Sequence, residues 1–382
     1  MSAPATRWQV RAQRPVAYDV LKTPALFAPH NDALLAFGRR EGARRFVVVD
    51  ANVMRHHGAA IRDWFGQHGV EVHLVTHPGG EECKTLEACQ DLVCELDTFP
   101  IHRRDDPIIA IGGGVLTDVV AFVASSYRRG VPHIKVPTTL MGYIDAALGI
   151  KAGVNFNGNK NRLGSFEPPQ AVLLDPAFLP SLPRRHLLNG VCEIVKLAVI
   201  RDRALFAQLE ADGAASIAAC FANPAGEAIL DRAIGGMLEE LAPNLFEEEL
   251  ARKVDFGHTF SYGLETRHGE RLLHGEAVLL DILVSVQIAR QRGLLAGDDA
   301  ARVFALVGRL GLAPDLRVLD SGTMWHSLLD RIEHRNGQQR VPMPAGIGQC
   351  VFLNDITRRE LDAAVPALHA RIKADHELVL EC

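Results

Sequence analysis

Short β-branched runs alternate with amphipathic stretches through the first half of this chain, and that alternation leaves few folds open. Arg45-Phe-Val-Val-Val-Asp50, Val70-Glu-Val-His-Leu-Val-Thr76 and Pro107-Ile-Ile-Ala-Ile111 read as buried strands, being short and rich in β-branched residues. Residues 53–68 and 85–98, which lie between them, carry helical spacing. Strand–helix–strand order of this kind predicts a parallel sheet with helices on both faces. His133-Ile-Lys-Val-Pro137 and Ala171-Val-Leu-Leu-Asp175 add two strands. The Gly-, Asn- and Lys-rich stretch 149–169 between them reads as a long functional loop. Beyond Leu179-Pro-Ser-Leu-Pro183 the pattern changes. Apolar-periodic segments at 186–200, 204–209, 217–221, 225–241, 274–291 and 301–310 predict a second, mostly α-helical domain. Little can be read after residue 311.

A length of 382 residues suits two domains. Net charge is −5 with both signs interspersed, which argues against a nucleic-acid or membrane surface. No apolar run reaches the roughly 18 residues of a membrane span. Residues 1–15 lack the apolar core of a secretory signal. Seven cysteines without a C-x-x-C pair read as reduced cytoplasmic thiols. The expectation is a cytoplasmic protein acting on a small molecule.

Ile108-Ile-Ala-Ile-Gly-Gly-Gly-Val-Leu-Thr-Asp118 carries an apolar strand into three glycines and then a helix. Glycines let a backbone approach a pyrophosphate, and a helix N-terminus offers N–H groups and a positive dipole end. A tight turn without a ligand would use the same residues. Asp50, at the end of an earlier strand, suits ribose hydroxyls or a helix N-cap. Glu81 and Lys84 could face a nucleotide or line a solvated loop. Thr138 and Thr139 could bind a ligand or cap the next helix. Asp145, Lys151, Asn155, Lys160, Asn161 and Arg162 cluster near the Gly-rich loop, where amides and ammonium groups suit an anionic sugar phosphate.

A metal set emerges from three separate pieces. Glu193, His258 and His274 each sit in a helix-like stretch, and two imidazoles with one carboxylate suit a catalytic divalent ion. Glu193 lies on an apolar helix face, where a carboxylate needs a cation or hydrogen-bond partner. Lys196, one turn on, offers a plain ion pair as the alternative.

Taken together, Gly112-Gly-Gly-Val-Leu-Thr-Asp118, Tyr127-Arg-Arg-Gly130, Val136-Pro-Thr-Thr-Leu140, Gly158-Asn-Lys-Asn161, Asn189-Gly-Val-Cys-Glu193, Phe256-Gly-His-Thr-Phe260 and Leu273-His-Gly-Glu276 resemble the sugar phosphate cyclase superfamily, whose best-known member is 3-dehydroquinate synthase. The resemblance runs in unbroken order from about residue 45 to 280. It implies an α/β Rossmann-like NAD domain over residues 1–180 and a mostly α-helical metal and substrate domain over 181–382. It also implies a homodimer. By position, Glu193, His258 and His274 would hold zinc or cobalt. Asp50, Asn52, Glu81, Lys84, Gly113, Gly114, Val115, Asp118, Thr138, Thr139, Lys151, Lys160 and Phe178 would touch NAD. Asp145, Lys151, Asn161 and Lys196 would face the substrate, with Arg129 arriving from the partner subunit.

Departures from the 3-dehydroquinate synthase pattern narrow the substrate. Asp255 and Tyr262 replace an amide and a histidine, and two basic positions fall at Met237 and at Ala251, the second one step from Arg252. A late Asp-Lys-Lys motif is missing, and Asp330-Arg-Ile-Glu-His-Arg335 stands near its place, which puts His334 at the site. An added carboxylate and lost cations would repel a carboxylate-bearing substrate by on the order of 1–4 kcal/mol. The branch implied is the one that cyclises sedoheptulose 7-phosphate to 2-epi-5-epi-valiolone, 2-epi-valiolone or desmethyl-4-deoxygadusol. The competing readings are a drifted 3-dehydroquinate synthase and a metal-dependent polyol dehydrogenase. The implied chemistry is transient oxidation by NAD, elimination of phosphate, return of the hydride and ring closure.

Overall fold

The computed structural model describes residues 7–380. Its first half is a six-stranded parallel sheet. In chain order the elements are β1 (Asp19–Lys22), β2 (Arg44–Asp50), α1 (Ala51–Gln67), β3 (Glu71–His77), α2 (Leu86–Thr98), β4 (Ile108–Gly112), α3 (Gly114–Ser126), β5 (His133–Pro137), β6 (Lys151–Phe156), β7 (Asn159–Phe166) and β8 (Ala171–Leu174). The strand order β1-β8-β5-β4-β2-β3 reverses direction between β2 and β4. Open α/β sheets bind ligands in the crevice beyond the strand ends at such a reversal. Asp50 and Gly112, which end those two strands, meet there: a Cβ added to Gly112 would lie 3.2 Å from that of Asp50.

Both faces of the sheet are buried. Val47, Val49, Ile109, Ile111, Ile134 and Val136 pack on one side with Trp64 and Phe65 of α1. Phe46, Val48, Ile108 and Ala110 pack on the other with α2 and α3. The predicted loop 149–169 is instead the antiparallel hairpin β6–β7, which lies on α3. Its turn is Asn157-Gly158, with φ of 51° and 74°. Asn-Gly is the preferred pair for the tight turn whose twist matches the strands it joins, so the hairpin was written in the sequence. The polar residues of β7 hid the strand alternation.

The second half holds α4 (Arg184–Ile200), α5 (Arg203–Ala218), α6 (Pro224–Leu241), α7 (Ser261–His268), α8 (His274–Gln291), α9 (Gly297–Arg309), α10 (Ser321–His334), the hairpin β9 (Val341–Gly346) with β10 (Gln349–Leu353), and α11 (Arg358–Leu380). Segments 204–209 and 217–221 are not two helices: α5 spans the first and most of the interval, and Cys220 and Phe221 turn away at positive φ. Helices α4 and α8 form the centre, buried without a break over Gly190–Ile200 and Ala277–Ala289. The same core takes in Leu140–Leu148 and β8 residues, so it is continuous with the sheet half. No helix among the described residues is long and apolar enough to cross a membrane.

Candidate active site

Glu193 sits in the middle of α4, fully buried, because that helix is packed on every side from Gly190 to Ile200. His274 is the first residue of α8. His258 is not helical, contrary to expectation: it occupies the turn before α7. Gly257, at φ 78°, makes that turn, and a Cβ there would strike Val278 at 2.7 Å. Helices α4 and α8 touch where Gly275 lies against the Asn189 backbone, and the Asn189 side-chain oxygen accepts from the Gly275 N–H at 2.7 Å. Glu193, one turn after Asn189, thereby faces His274.

The three side chains converge, with one donor atom from each within 4.8 Å of the others. The two imidazole Nε2 atoms are 3.3 Å apart, and they lie 3.8 Å (His258) and 3.6 Å (His274) from Glu193 Oε1. A tetrahedral ion with bonds near 2 Å would hold its ligands about 3.3 Å apart. Glu193 Oε1, the oxygen nearest both rings, has no hydrogen-bond partner despite full burial. Each His uses its other nitrogen elsewhere: His258 Nδ1 reaches Phe256 O at 3.1 Å and His274 Nδ1 reaches Glu265 Oε1 at 3.1 Å. Both Nε2 lone pairs therefore point at the same spot as the carboxylate, an arrangement that fits a divalent cation. The plain ion pair is present too. The Lys196 ammonium contacts Glu193 Oε2 and lies 3.4 Å from Asp145 Oδ2.

These contacts set the charges. Burial pushes Glu193 above its usual value, while burial and Lys196 hold His258 well below its own, which keeps that ring neutral. Burial acts against ionised Asp145, but the ammonium groups of Lys196 and Lys151 oppose it and the carboxyl is held far below its usual range. Burial would likewise lower His274, but Glu265 and Glu193 outweigh it and raise the ring to about 9. A raised value means that the imidazolium stabilises the metal-free fold fully below about pH 6.5, its unfolded pKa, and that this contribution is lost as pH rises through about 9. A ligated His must be neutral, so metal loading removes the effect. Chelator-treated protein should lose melting temperature between pH 6.5 and 9 more steeply than zinc-loaded protein. Parallel curves would contradict the assignment.

Around the crevice, Lys84 bonds Asp118 and Asn161, each at 2.6 Å. Asn155 bonds Glu81 at 2.9 Å and accepts from the Asn161 N–H at 2.9 Å. Linked through Asn155, the residues Glu81, Lys84, Asp118 and Asn161 thus form one network at the turn end of the hairpin. Gly113 precedes α3 with no side-chain cap, which leaves the first N–H groups of that helix, including that of Val115, open to an anion. A Cβ on Gly113 or Gly114 would meet Thr139 at 3.1 Å or Ala146 at 2.9 Å, so close packing also requires these glycines. Thr138 is buried beside them and donates its backbone N–H to Gly112 O. Asp50 caps α1 through the Asn52 N–H, and Thr139 accepts from the Gly142 N–H, so the capping alternatives are realised at both. Phe178 is core, edge-on to His57. Lys160 reaches Glu265, and Lys151 reaches Glu247.

Two expectations need correction. His334 is exposed at the end of α10, and its neighbour Arg335 is the buried residue that reaches Asp255, at 3.1 Å. Asp255 is also paired with Arg252, which in turn pairs with Glu247. The added carboxylate is therefore neutralised by two arginines and does not by itself repel an anion. Met237 lies in the core. Arg129 stands exposed in a left-handed turn at φ 62° beside Arg104 and Arg14. Sequence reasoning missed Glu265, Glu247 and Arg335, and it met Arg252 only as the neighbour of Ala251. The signals were slight: Glu265 follows His258 by seven residues, and Arg252 precedes Asp255 by three.

Comparison with known proteins agrees with this geometry. Residues 74–189 match the 3-dehydroquinate synthase N-terminal family and residues 190–332 its C-terminal family. A 2-epi-5-epi-valiolone synthase of Streptomyces albus is 46% identical over 366 residues, which cover 94% of this chain and 89% of that protein. A demethyl-4-deoxygadusol synthase of Trichormus variabilis is 36% identical over 371 residues, 95% of this chain and 90% of that one. A solved 2-epi-5-epi-valiolone synthase of Streptomyces hygroscopicus subsp. jinggangensis, with NAD+ and Zn2+ bound, superposes with a TM-score of 0.91 at 43% identity, covering 95% of this chain and all of that one. A parallel α/β sheet followed by a helical metal-binding half, matched along nearly its whole length, makes this chain a member of the 3-dehydroquinate synthase-like sugar phosphate cyclases.

Proposed function

We propose that the chain is a 2-epi-5-epi-valiolone synthase, which cyclises sedoheptulose 7-phosphate with loss of phosphate. The observation that carries this reading is the 46% identity along almost the full length with a synthase of that product, against 36% for a cyclase named for a different one. The residues fit both helpers that the related structure contains. Glu193, His258 and His274 would hold the metal. The uncapped start of α3 and the ends of β2 and β4 would receive NAD. When bound, the two supply Lewis-acid polarisation and reversible hydride exchange.

The chain's own groups do the positioning. Asp145, kept ionised by Lys196, accepts a hydrogen bond from a sugar hydroxyl and turns it toward the metal triad. Lys196 is buried and stays cationic, so it balances the two carboxylates and can hold developing negative charge on oxygen. Lys151, exposed at the start of β6, binds the phosphate and steadies it as it leaves. Asn161, on the adjacent strand, orients the same end of the sugar. Arg129 would act from one subunit of a homodimer on the crevice of the other. The described cysteines are all free, which fits a reducing, cytoplasmic setting.

Sedoheptulose 7-phosphate, NAD+ and zinc should give one phosphate per turnover, a C7 cyclitol identifiable by NMR and no accumulation of NADH. Steady NADH production would point to a polyol dehydrogenase. Faster phosphate release from the heptulosonate 7-phosphate would point to a 3-dehydroquinate synthase.

A further inference from the structure

Glu265 lies on α7, is buried, and touches both halves of the molecule. One carboxylate oxygen takes His274 Nδ1 at 3.1 Å. The other takes the Lys160 ammonium at 3.0 Å. Lys160 belongs to β7, the outer strand of the hairpin on the sheet half, and His274 opens α8 in the helical half. The chain Lys160–Glu265–His274 therefore runs from the hairpin to the point where the metal ligands converge.

We propose that Glu265 is the positioning residue of the metal centre and that it couples metal binding to docking of the β6–β7 hairpin. This rests on the metal site proposed above. Two physical effects support it. A carboxylate on Nδ1 fixes the tautomer that leaves Nε2 free to bind, sets the plane of the ring and makes it a stronger donor. His274 has particular need of this, because its side chain is over a third exposed, whereas Glu193 is fully buried within α4. The second effect is reach. Fixing the ring fixes Glu265, and a fixed Glu265 presents its other oxygen to Lys160. The hairpin also carries Lys151 and Asn161, so seating it on Glu265 brings the substrate-facing residues of the sheet half onto the helical half. A coordinated ion would thereby order a hairpin that supplies none of its three ligands.

Two measurements on the full-length, NAD-free chain test this. Zinc affinity is read by competition with a chromophoric chelator for wild type, Glu265→Gln and Glu265→Ala. The Gln variant keeps an acceptor for Nδ1 and loses the charge; the Ala variant loses both. We expect zinc binding to weaken about 10–100-fold in Glu265→Ala, with Glu265→Gln between it and wild type. Amide hydrogen exchange across residues 151–166 is then compared with and without zinc. Zinc should slow exchange in the wild-type hairpin and should do so much less in Glu265→Gln, even at saturation. Affinities within twofold of wild type in both variants, or a hairpin whose exchange ignores zinc, would overturn the proposal. Failure of the wild-type chain itself to bind zinc would instead remove the metal reading. Should Glu265→Ala not fold, Glu265→Gln, close in volume to the native residue, still decides the matter.

Discussion

Replacing Glu193 with alanine should strip the centre of its metal and lower turnover by at least about 10³-fold, the equivalent of roughly 4 kcal/mol in the barrier. Glu193 supplies the only anionic donor among the three converging groups. Two imidazoles alone, both partly exposed, make a weak and labile site. The variant also removes one of the two carboxylates that balance the buried Lys196, which leaves that ammonium with Asp145 as its remaining partner. Glu193→Gln separates the two effects. It keeps the volume inside α4 and loses the charge, so it should fold as well as the alanine variant or better while binding zinc as poorly. Metal content by mass spectrometry, melting temperature and phosphate release measure each part. One equivalent of tightly held metal together with undiminished turnover in either variant would refute the centre described here.

How much of this was legible beforehand depends on the kind of signal. Five of the six sheet strands announced themselves: a strand buried on both faces reads as a nearly continuous apolar run, as in Arg45–Asp50 or Ala171–Leu174, and the edge strand β3 showed through its β-branched alternation. The sixth, β1, has four residues and an exposed edge, so nothing in Asp19-Val-Leu-Lys22 demanded it. The hairpin β9–β10 was hidden by Pro342 and Pro344, which argue against a strand unless it lies at an edge. The metal ligands stood out through chemistry: a carboxylate on an all-apolar helix is costly unless something pairs with it. Their supporting residues could not be found that way. Glu265, Arg252 and Arg335 look like ordinary surface charges in the sequence, and only the chain path brings them to His274 and Asp255. Asp255 shows the cost of that blindness. Counted as a bare negative charge it predicted repulsion, whereas its two arginines cancel it.

The second large effect is steric and lies at Gly275. A methyl group there would stand 2.0 Å from the backbone oxygen of Asn189 and 2.8 Å from its side-chain oxygen. Backbone cannot swing aside as a side chain can, so Gly275→Ala must push α8 away from α4. Those two helices form the centre of the helical half, where Ala277, Val278, Leu280 and Ile282 are fully buried against their neighbours. Separating them opens voids in a closely packed core and breaks the Asn189 cap on the Gly275 N–H. We expect a loss of at least about 4 kcal/mol, in the range reserved for severe core disruption. Because Glu193 and His274 ride on these same two helices, the triad should open as well, and zinc affinity should fall even in the fraction that folds. Gly308→Ala is the matched control. Gly308 lies within α9, is exposed, and has nothing within 4 Å of an added Cβ. There the same change should stabilise the chain by roughly 0.5–1 kcal/mol through helix propensity alone. Equal melting temperatures for the two variants would mean that the α4–α8 contact is not what holds the metal ligands in register.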